Sequence, residues 1–296
     1  MRTSLNVVLL ASLMLVHGVA FAQIGSDWLV LNNFYVPAFT ACYSGTDASE
    51  SGGFLTLTQE SGSFTCQSTT GVPYQVGGIV SSSFSFTYGV VRARIKFGSN
   101  GNTLWSAVWM EGGASGSSAY PPTCIATLLA GTGHPFQNCV SSAQTNYEID
   151  IAEDGSNDNN ITNSLLLWQS GSQIAGGQTI TSSNFSPSSF GYHVYELDWY
   201  PNLLVFKIDG VVLSTMTKTV SVPEFLILDN ETFNLPTSFP NTTSVDWIRV
   251  CSDPNAACNE GDATMIFDDE FNAGVTPPAT VNNTKQGVTL QGIAAQ

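Results

Sequence analysis

Basic side chains are scarce in this chain of 296 residues: Lys and Arg together number 8 against 23 Asp and Glu, for a formal charge of −15. A surface so poor in positive charge has little with which to neutralise phosphates or anionic headgroups, which excludes nucleic acid and anionic membranes as partners and favours a neutral one. Histidine is rarer still, at 3. With no Cys-x-x-Cys pair, and with His134 and His193 isolated from other ligands, a zinc set cannot be assembled. Sustained helical periodicity is missing, and so is any apolar run long enough to span a bilayer.

Other features are plain. Met1-Arg2-Thr3, an apolar run over 7–16 and the small-residue pattern Ala20-Phe21-Ala22 read as a secretory signal peptide over 1–22, cleaved near Ala22. The expected product is secreted, extracellular or periplasmic, and soluble. All 6 cysteines lie in the exported part, where oxidation is permitted. Proximity favours Cys42 with Cys66, Cys124 with Cys139 and Cys251 with Cys258, although spacing alone leaves connectivity open. Asn-x-Ser/Thr sequons begin at Asn160, Asn184, Asn230, Asn241 and Asn282, and carry glycans only in a host with the machinery.

The most concentrated chemistry is the string Glu148-Ile149-Asp150-Ile151-Ala152-Glu153, three carboxylates in a chain that is only 10% charged. Side chains alternate along a strand, so Glu148 and Asp150 share a face and Glu153 falls on the other. A one-residue bulge around Ile151 and Ala152 would bring all three to one face, and bulges occur beside active sites. Crowded carboxylates push their pKa values apart, so that a neutral acid and an ionised nucleophile coexist, as glycoside hydrolysis requires. A solvated acidic loop is the alternative, and Asp154 and Asp158 do continue the acidity.

Recurring β-branched and aromatic runs between Gly, Ser, Asn and Pro clusters predict an all-β sandwich. Val91, Ala93, Ile95 and Phe97 share one parity, as core, and Arg92, Arg94 and Lys96 the other. His193, Tyr195, Leu197 and Trp199 share a parity on a further strand, and Asp209-Gly210 predicts a type I′ hairpin. Residues 111–146 read as a long loop, stapled by Cys124 and Cys139, that walls or covers the site. The expected organisation is a signal peptide over 1–22, a catalytic domain over 23–252, and an extension over 253–296 with an added strand at 265–271 and then a flexible tail.

These segments resemble glycoside hydrolase family 16, the laminarinase-like enzymes, over roughly 52–251. The residues that carry the resemblance are the Glu148 to Glu153 string, similar to the family's Glu-x-Asp-x-x-Glu form; Tyr88-Gly89 with Ala93-Arg94-Ile95-Lys96; Leu104-Trp105-Ser106-Ala107-Val108-Trp109-Met110; His193 through Asp209-Gly210; and Val245-Asp246-Trp247-Ile248-Arg249-Val250. The resemblance implies a two-sheet antiparallel β-jelly-roll with a concave substrate cleft. It implies Glu148 as nucleophile, Glu153 as acid and then base, and Asp150 tuning Glu148, in a retaining endo-β-glycanase acting on β-1,3- or β-1,3/1,4-glucan. Trp105, Trp109 and Arg94 would bind sugar, with core packing and an internal salt bridge as the plainer roles. No cofactor is required, and a structural calcium near Asp246 is allowed. A monomer is expected. The alternatives are a transglycosylase, a β-galactan hydrolase or a non-catalytic carbohydrate-binding sandwich. The chain departs from the family pattern at Tyr147, where Gly is usual, at Arg92, where an acid is usual, and at Leu167, where a His is common. The Phe267-Asp268-Asp269-Glu270-Phe271 run resembles the strand that usually opens the domain, here placed after the closing one, as in a circular permutation.

Overall fold

A computed structural model describes residues 24, 27–36, 40–66, 68–81, 84–98, 104–112, 145–154, 160–169, 172–183, 191–232 and 241–272. The fold is all-β: among the described residues there are two sheets and no helix. The seven-stranded sheet runs in the order β1 (Trp28–Val30), β7 (Gly78–Ser81), β16 (Glu224–Thr232), β9 (Leu104–Gly112), β10 (Asn146–Asp154), β11 (Asn160–Gln169) and β12 (Ser172–Ser183). The larger sheet runs β15 (Val211–Met216), β14 (Leu203–Ile208), β13 (His193–Tyr200), β8 (Gly89–Lys96), β17 (Asn241–Cys251), β5 (Phe54–Cys66), β6 (Thr69–Val76), β3 (Ala41–Tyr43) and β2 (Phe34–Val36). β4 (Ala48–Ser51) adds to β5, and β18 (Met265–Asp269) adds to β17. All pairings are antiparallel except β3 with β6.

Alternation explains how the sheets pack. Val91, Ala93 and Ile95 of β8, Tyr195, Leu197 and Trp199 of β13 and Phe206 of β14 bury inward, against Val108 and Met110 of β9, Ile149 of β10 and Leu226 and Leu228 of β16. The opposite parity of β8 sends Arg92 and Arg94 outward from the larger sheet, where they meet Glu196 and Asp246. Asp209 and Gly210 both have positive φ, 50° and 78°, as a type I′ turn requires between β14 and β15.

The β6–β3–β2 end of the larger sheet folds over the outward face of the other sheet. Leu31, Val36, Ala41, Tyr43, Tyr74 and Val76 form a second apolar cluster with Val80, Ala107, Trp109, Phe225 and Ile227. A disulfide between Cys42 and Cys66 ties β3 to the end of β5, and another joins Cys251 to Cys258. Two bonded pairs fit an oxidising compartment. Gly78 makes the overlay feasible, since a Cβ there would come within 2.7 Å of the Tyr43 ring and 3.0 Å of Asp229.

The C-terminal segment is built into the sandwich as far as Asn272. β5 pairs with the first half of β17 and β18 with the second, so β18 continues the row of β5. Phe267 stacks on Phe84 at 4.7 Å and meets Trp28 edge-on, while Trp28 Nε1 donates to Asp269 at 2.6 Å. Several expectations fall outside the described residues: the signal peptide over 1–22, the Cys124–Cys139 pair, the tail beyond 272 and most of the expected loop. At the loop's ends, Glu111 and Gly112 finish β9 and Asn146 begins β10. The sequons at Asn230 and Asn241 lie in the interior: Asn230 is fully buried and its amide donates to the Leu57 carbonyl, leaving no room for a glycan.

Candidate active site

The bulge forms where the carboxylate spacing demands it. Asp150 opposes Trp109 and Ala152 opposes Val108, leaving Ile151 as the extra residue; on the other side Asp150 opposes Ser164 and Glu153 opposes Thr162. Both Ile151 and Ala152 bury in the core, and the parity of the strand is reversed beyond them. Glu148, Asp150 and Glu153 therefore come together on the outward face of the seven-stranded sheet.

Indole N–H groups organise this face. Trp168 Nε1 donates to Glu148, and Trp105 Nε1 donates to Glu153 at 2.8 Å. A third indole, Trp109 Nε1, donates at 3.0 Å to Asp229 of β16, whose other oxygen receives the Tyr43 hydroxyl. Glu231, two residues on, lies 3.2 Å from the same hydroxyl. Ser164 lies opposite Asp150 and its hydroxyl is 3.5 Å from Glu153.

Burial is the main electrostatic force here. It raises Glu148, with the charge of Glu153 adding to the rise, while the Trp168 indole and a side-chain hydrogen bond from Asp150 favour the charged form. Asp150 is raised well above its usual value by burial and then by its two glutamate neighbours. Glu153 is pushed up to about 7, by burial first and by Asp229 as well, against the Trp105 hydrogen bond. Glu148, pushed up to about 8, and Glu153, pushed up to about 7, each receive two side-chain donors, so the three carboxylates titrate as one set that shares protons near neutrality.

Raised carboxylates have a consequence for stability. Asp47 and Asp229 are both buried and both pushed up to about 6, and Glu153 to about 7. Their folded values exceed the unfolded ones, so between the two the folded state binds more protons and stability falls as pH rises. Melting followed by circular dichroism is expected to show a Tm lower by on the order of 10 °C at pH 8 than at pH 5. A flat profile across that range would mean that these groups are not buried.

The remaining sequence expectations separate. Trp105 and Trp168 stay partly exposed on the site face. Trp109 shares that face but is only 8% exposed, beneath the cluster that contains Tyr43, so it is a packed donor to Asp229 and not an open sugar platform. Arg94 is on the other sheet altogether. Its guanidinium pairs with Asp246 and lies 4.5 Å from the Tyr192 ring centroid, on the face turned away from the core, which corrects its expected role in sugar binding. The same pairing meets the Asp246 carboxylate with a guanidinium, so the residues present do not fit a calcium site there. Tyr43, Ser164, Trp168, Asp229 and Glu231 were not expected. One signal was available: Asp229 and Glu231 end the apolar run Phe225 to Leu228, carboxylates set in a buried strand just as in β10.

Comparison with known proteins bears directly on this face. The glycosyl hydrolases family 16 model matches residues 129–238, which include the whole of β10 and β16. Over that span the chain resembles glycosyl hydrolases family 16. The match supports a glycoside hydrolase with polysaccharide as its substrate class. No curated protein sequence matches it. Among solved structures it is similar to LamA from Zobellia galactanivorans in complex with laminaritriose and laminaritetraose, at 20% identity and a TM-score of 0.58, over 76% of this chain and 91% of that one. It is also similar to the laminarinase catalytic domain from Thermotoga maritima (18% identity, TM-score 0.54, 71% and 82% covered). A third is the kappa-carrageenase from Pseudoalteromonas carrageenovora, in complex with an oligotetrasaccharide of kappa-carrageenan (16% identity, TM-score 0.53, 75% and 88% covered). At these identities the likeness is one of fold, the jelly-roll sandwich.

Proposed function

We propose that this chain is a secreted, retaining endo-β-glycanase that hydrolyses β-1,3 or mixed β-1,3/1,4 linkages in a neutral glucan. The observation that carries this reading is the bulged strand that turns Glu148, Asp150 and Glu153 to one face, each working glutamate held by an indole. Glu148 attacks the anomeric carbon while Glu153 gives its proton to the departing glycosidic oxygen, forming a glycosyl-enzyme. Glu153, now a carboxylate, takes a proton from water, the water oxygen displaces Glu148, and the configuration is retained overall. Asp150 orients and tunes Glu148. Trp105 and Trp168 flank the reacting sugar, and no cofactor enters.

Charge supports a neutral substrate. The seven-stranded sheet contains no Lys, Arg or His, yet it holds eight carboxylates: three on β16, one on β9 and four on β10. Lys218 reaches only its edge, at the Gly176 carbonyl. Five of the chain's bases, Arg92, Arg94, Lys96, Lys207 and Arg249, belong to the larger sheet, where four of them pair with acids. The segments beside β9, β10 and β16 in sequence, 99–103, 113–144, 155–159 and 233–240, contain no Lys or Arg either. A sulfated galactan such as the kappa-carrageenan fragment bound by the similar carrageenase would find no cationic partner on this sheet.

Reducing-end release from laminarin, lichenan, agarose, xyloglucan and kappa-carrageenan, run in parallel, tests this reading. Laminarin or lichenan is expected to be cut, with kappa-carrageenan at least about a hundredfold slower, because a like-charge contact costs several kcal/mol. Preference for the sulfated polymer would overturn the substrate class. Binding without cleavage of any of them would leave a carbohydrate-binding sandwich in place of an enzyme.

A further inference from the structure

Asp229 is not part of the carboxylate string, but the strand register puts it opposite the acid. Ala107 of β9 pairs with Glu153 on one side and with Asp229 on the other, so the two carboxylates face each other across a single methyl group. A larger residue between them would hold them apart. Both Asp229 oxygens receive donors, the Trp109 indole on one and the Tyr43 hydroxyl on the other. Burial pushes Asp229 up to about 6 and the two donors act against that rise, so it ionises ahead of Glu153, at about 7. Tyr43 has a single hydroxyl hydrogen, and its contact with Asp229 is the shorter one, so the 3.2 Å contact with Glu231 is best satisfied by a proton that Glu231 itself holds. Burial and the charge of Asp229 raise Glu231 well above its usual value, in agreement.

We propose that Asp229 is a positioning residue: a fixed negative charge, held by Trp109 and Tyr43, that keeps the proton on Glu153 until a glycosidic oxygen takes it. The inference rests on Glu153 being the acid. The other groups that face Glu153 are Glu148 and Asp150 on its own strand, Trp105 on β9, Ser164 on β11 and Glu231 beside Asp229. Farther along, Glu111 and Glu224 bear on Glu148. Asp229 differs from all of these in being buried, doubly bonded and separated from Glu153 only by Ala107. The covering strands β2, β3 and β6 thereby acquire a role, since they deliver Tyr43 to this carboxylate.

The test uses the full chain with Asp229→Asn and Tyr43→Phe, and two readouts. The first is the pH profile of kcat/KM. Its alkaline limb is expected to move toward acid by on the order of one pH unit in Asp229→Asn, with a rate loss of about tenfold above the limb, and by less in Tyr43→Phe. The second is the titration of the Glu153 carboxyl by carbon-13 NMR, assigned with Glu153→Gln, which needs no substrate and is expected to shift the same way. A folded Asp229→Asn enzyme with an unmoved limb and an unmoved titration overturns the proposal. If no polysaccharide is cut but the titration still shifts, the proposed function fails and the coupling of Asp229 to Glu153 stands.

Discussion

Replacing Glu148 with Ala is expected to abolish turnover, by about 10³-fold or more, and replacing Glu153 with Ala is expected to cost nearly as much on unactivated polysaccharide. Added azide should separate the two roles, given a glycoside with a good leaving group. In Glu148→Ala the nucleophile's space is vacant, so azide enters from that side and yields a glycosyl azide of inverted configuration. In Glu153→Ala the glycosyl-enzyme still forms, and azide displaces Glu148 to yield a product of retained configuration. Product NMR reads both outcomes. Opposite stereochemistry would exchange the roles of the two glutamates, and undiminished activity in either variant would remove that residue from the chemistry. The indoles on these carboxylates predict milder effects, because they hold the groups in place and take no part in bond making.

Deleting residues 253–296 is expected to leave a chain that does not fold cooperatively, or one whose Tm falls by more than about 20 °C. The added strand β18 buries Met265 and Phe267 in its own span, and Phe271 beyond it is buried completely. Arg249 of β17 pairs with both Asp268 and Glu270, so truncation would also leave a guanidinium that is 10% exposed without its partners. Each buried Phe lost costs about 3–5 kcal/mol, against a total stability of about 5–15 kcal/mol. The single substitution Phe267→Ala provides a graded version, with a Tm lower by about 10 °C. An unchanged melting temperature after truncation would sink the idea that the C-terminal segment fills the place of an opening strand, as in a circular permutation. The position of β18 beside β17, in line with β5, is what motivates the idea.

The charge distribution has a physical rationale beyond substrate choice. Eight carboxylates on one sheet repel each other, and the cost is met by protonation and by indole and hydroxyl donors in the absence of cations on that sheet. An arginine among them would settle the charge, but it would also pull Glu153 toward its ionised form and discharge the acid. Keeping the bases on the larger sheet leaves the site able to hold protons near neutral pH.

Local regularities were legible in the chain. Period-two alternation assigned the buried face of β8 and β13, Asp209-Gly210 marked its hairpin, and the three-residue gap between Asp150 and Glu153 required a bulge, because otherwise carboxylates would have pointed into the core. Proximity was enough for Cys42 with Cys66 and for Cys251 with Cys258. Alternation, however, says which residues of a strand share a face and nothing about which sheet the strand joins. That is why Arg94, correctly assigned to the polar face of β8, belongs to a sheet that does not bear the site. Nor does it say what covers a face. Trp105 and Trp109 share one parity, yet one remains partly open and the other is buried, because strands β2, β3 and β6 fold over only part of the sheet. The bond from Tyr43 to Asp229 spans 186 residues, and the one from Trp168 to Glu148 depends on a strand pairing. The sequence by itself determined the sandwich, the bulge and the carboxylates that it turns outward. Tertiary structure alone decided which charges and donors surround them, since those distances are set by how sheets close on each other and not by any local preference of the chain.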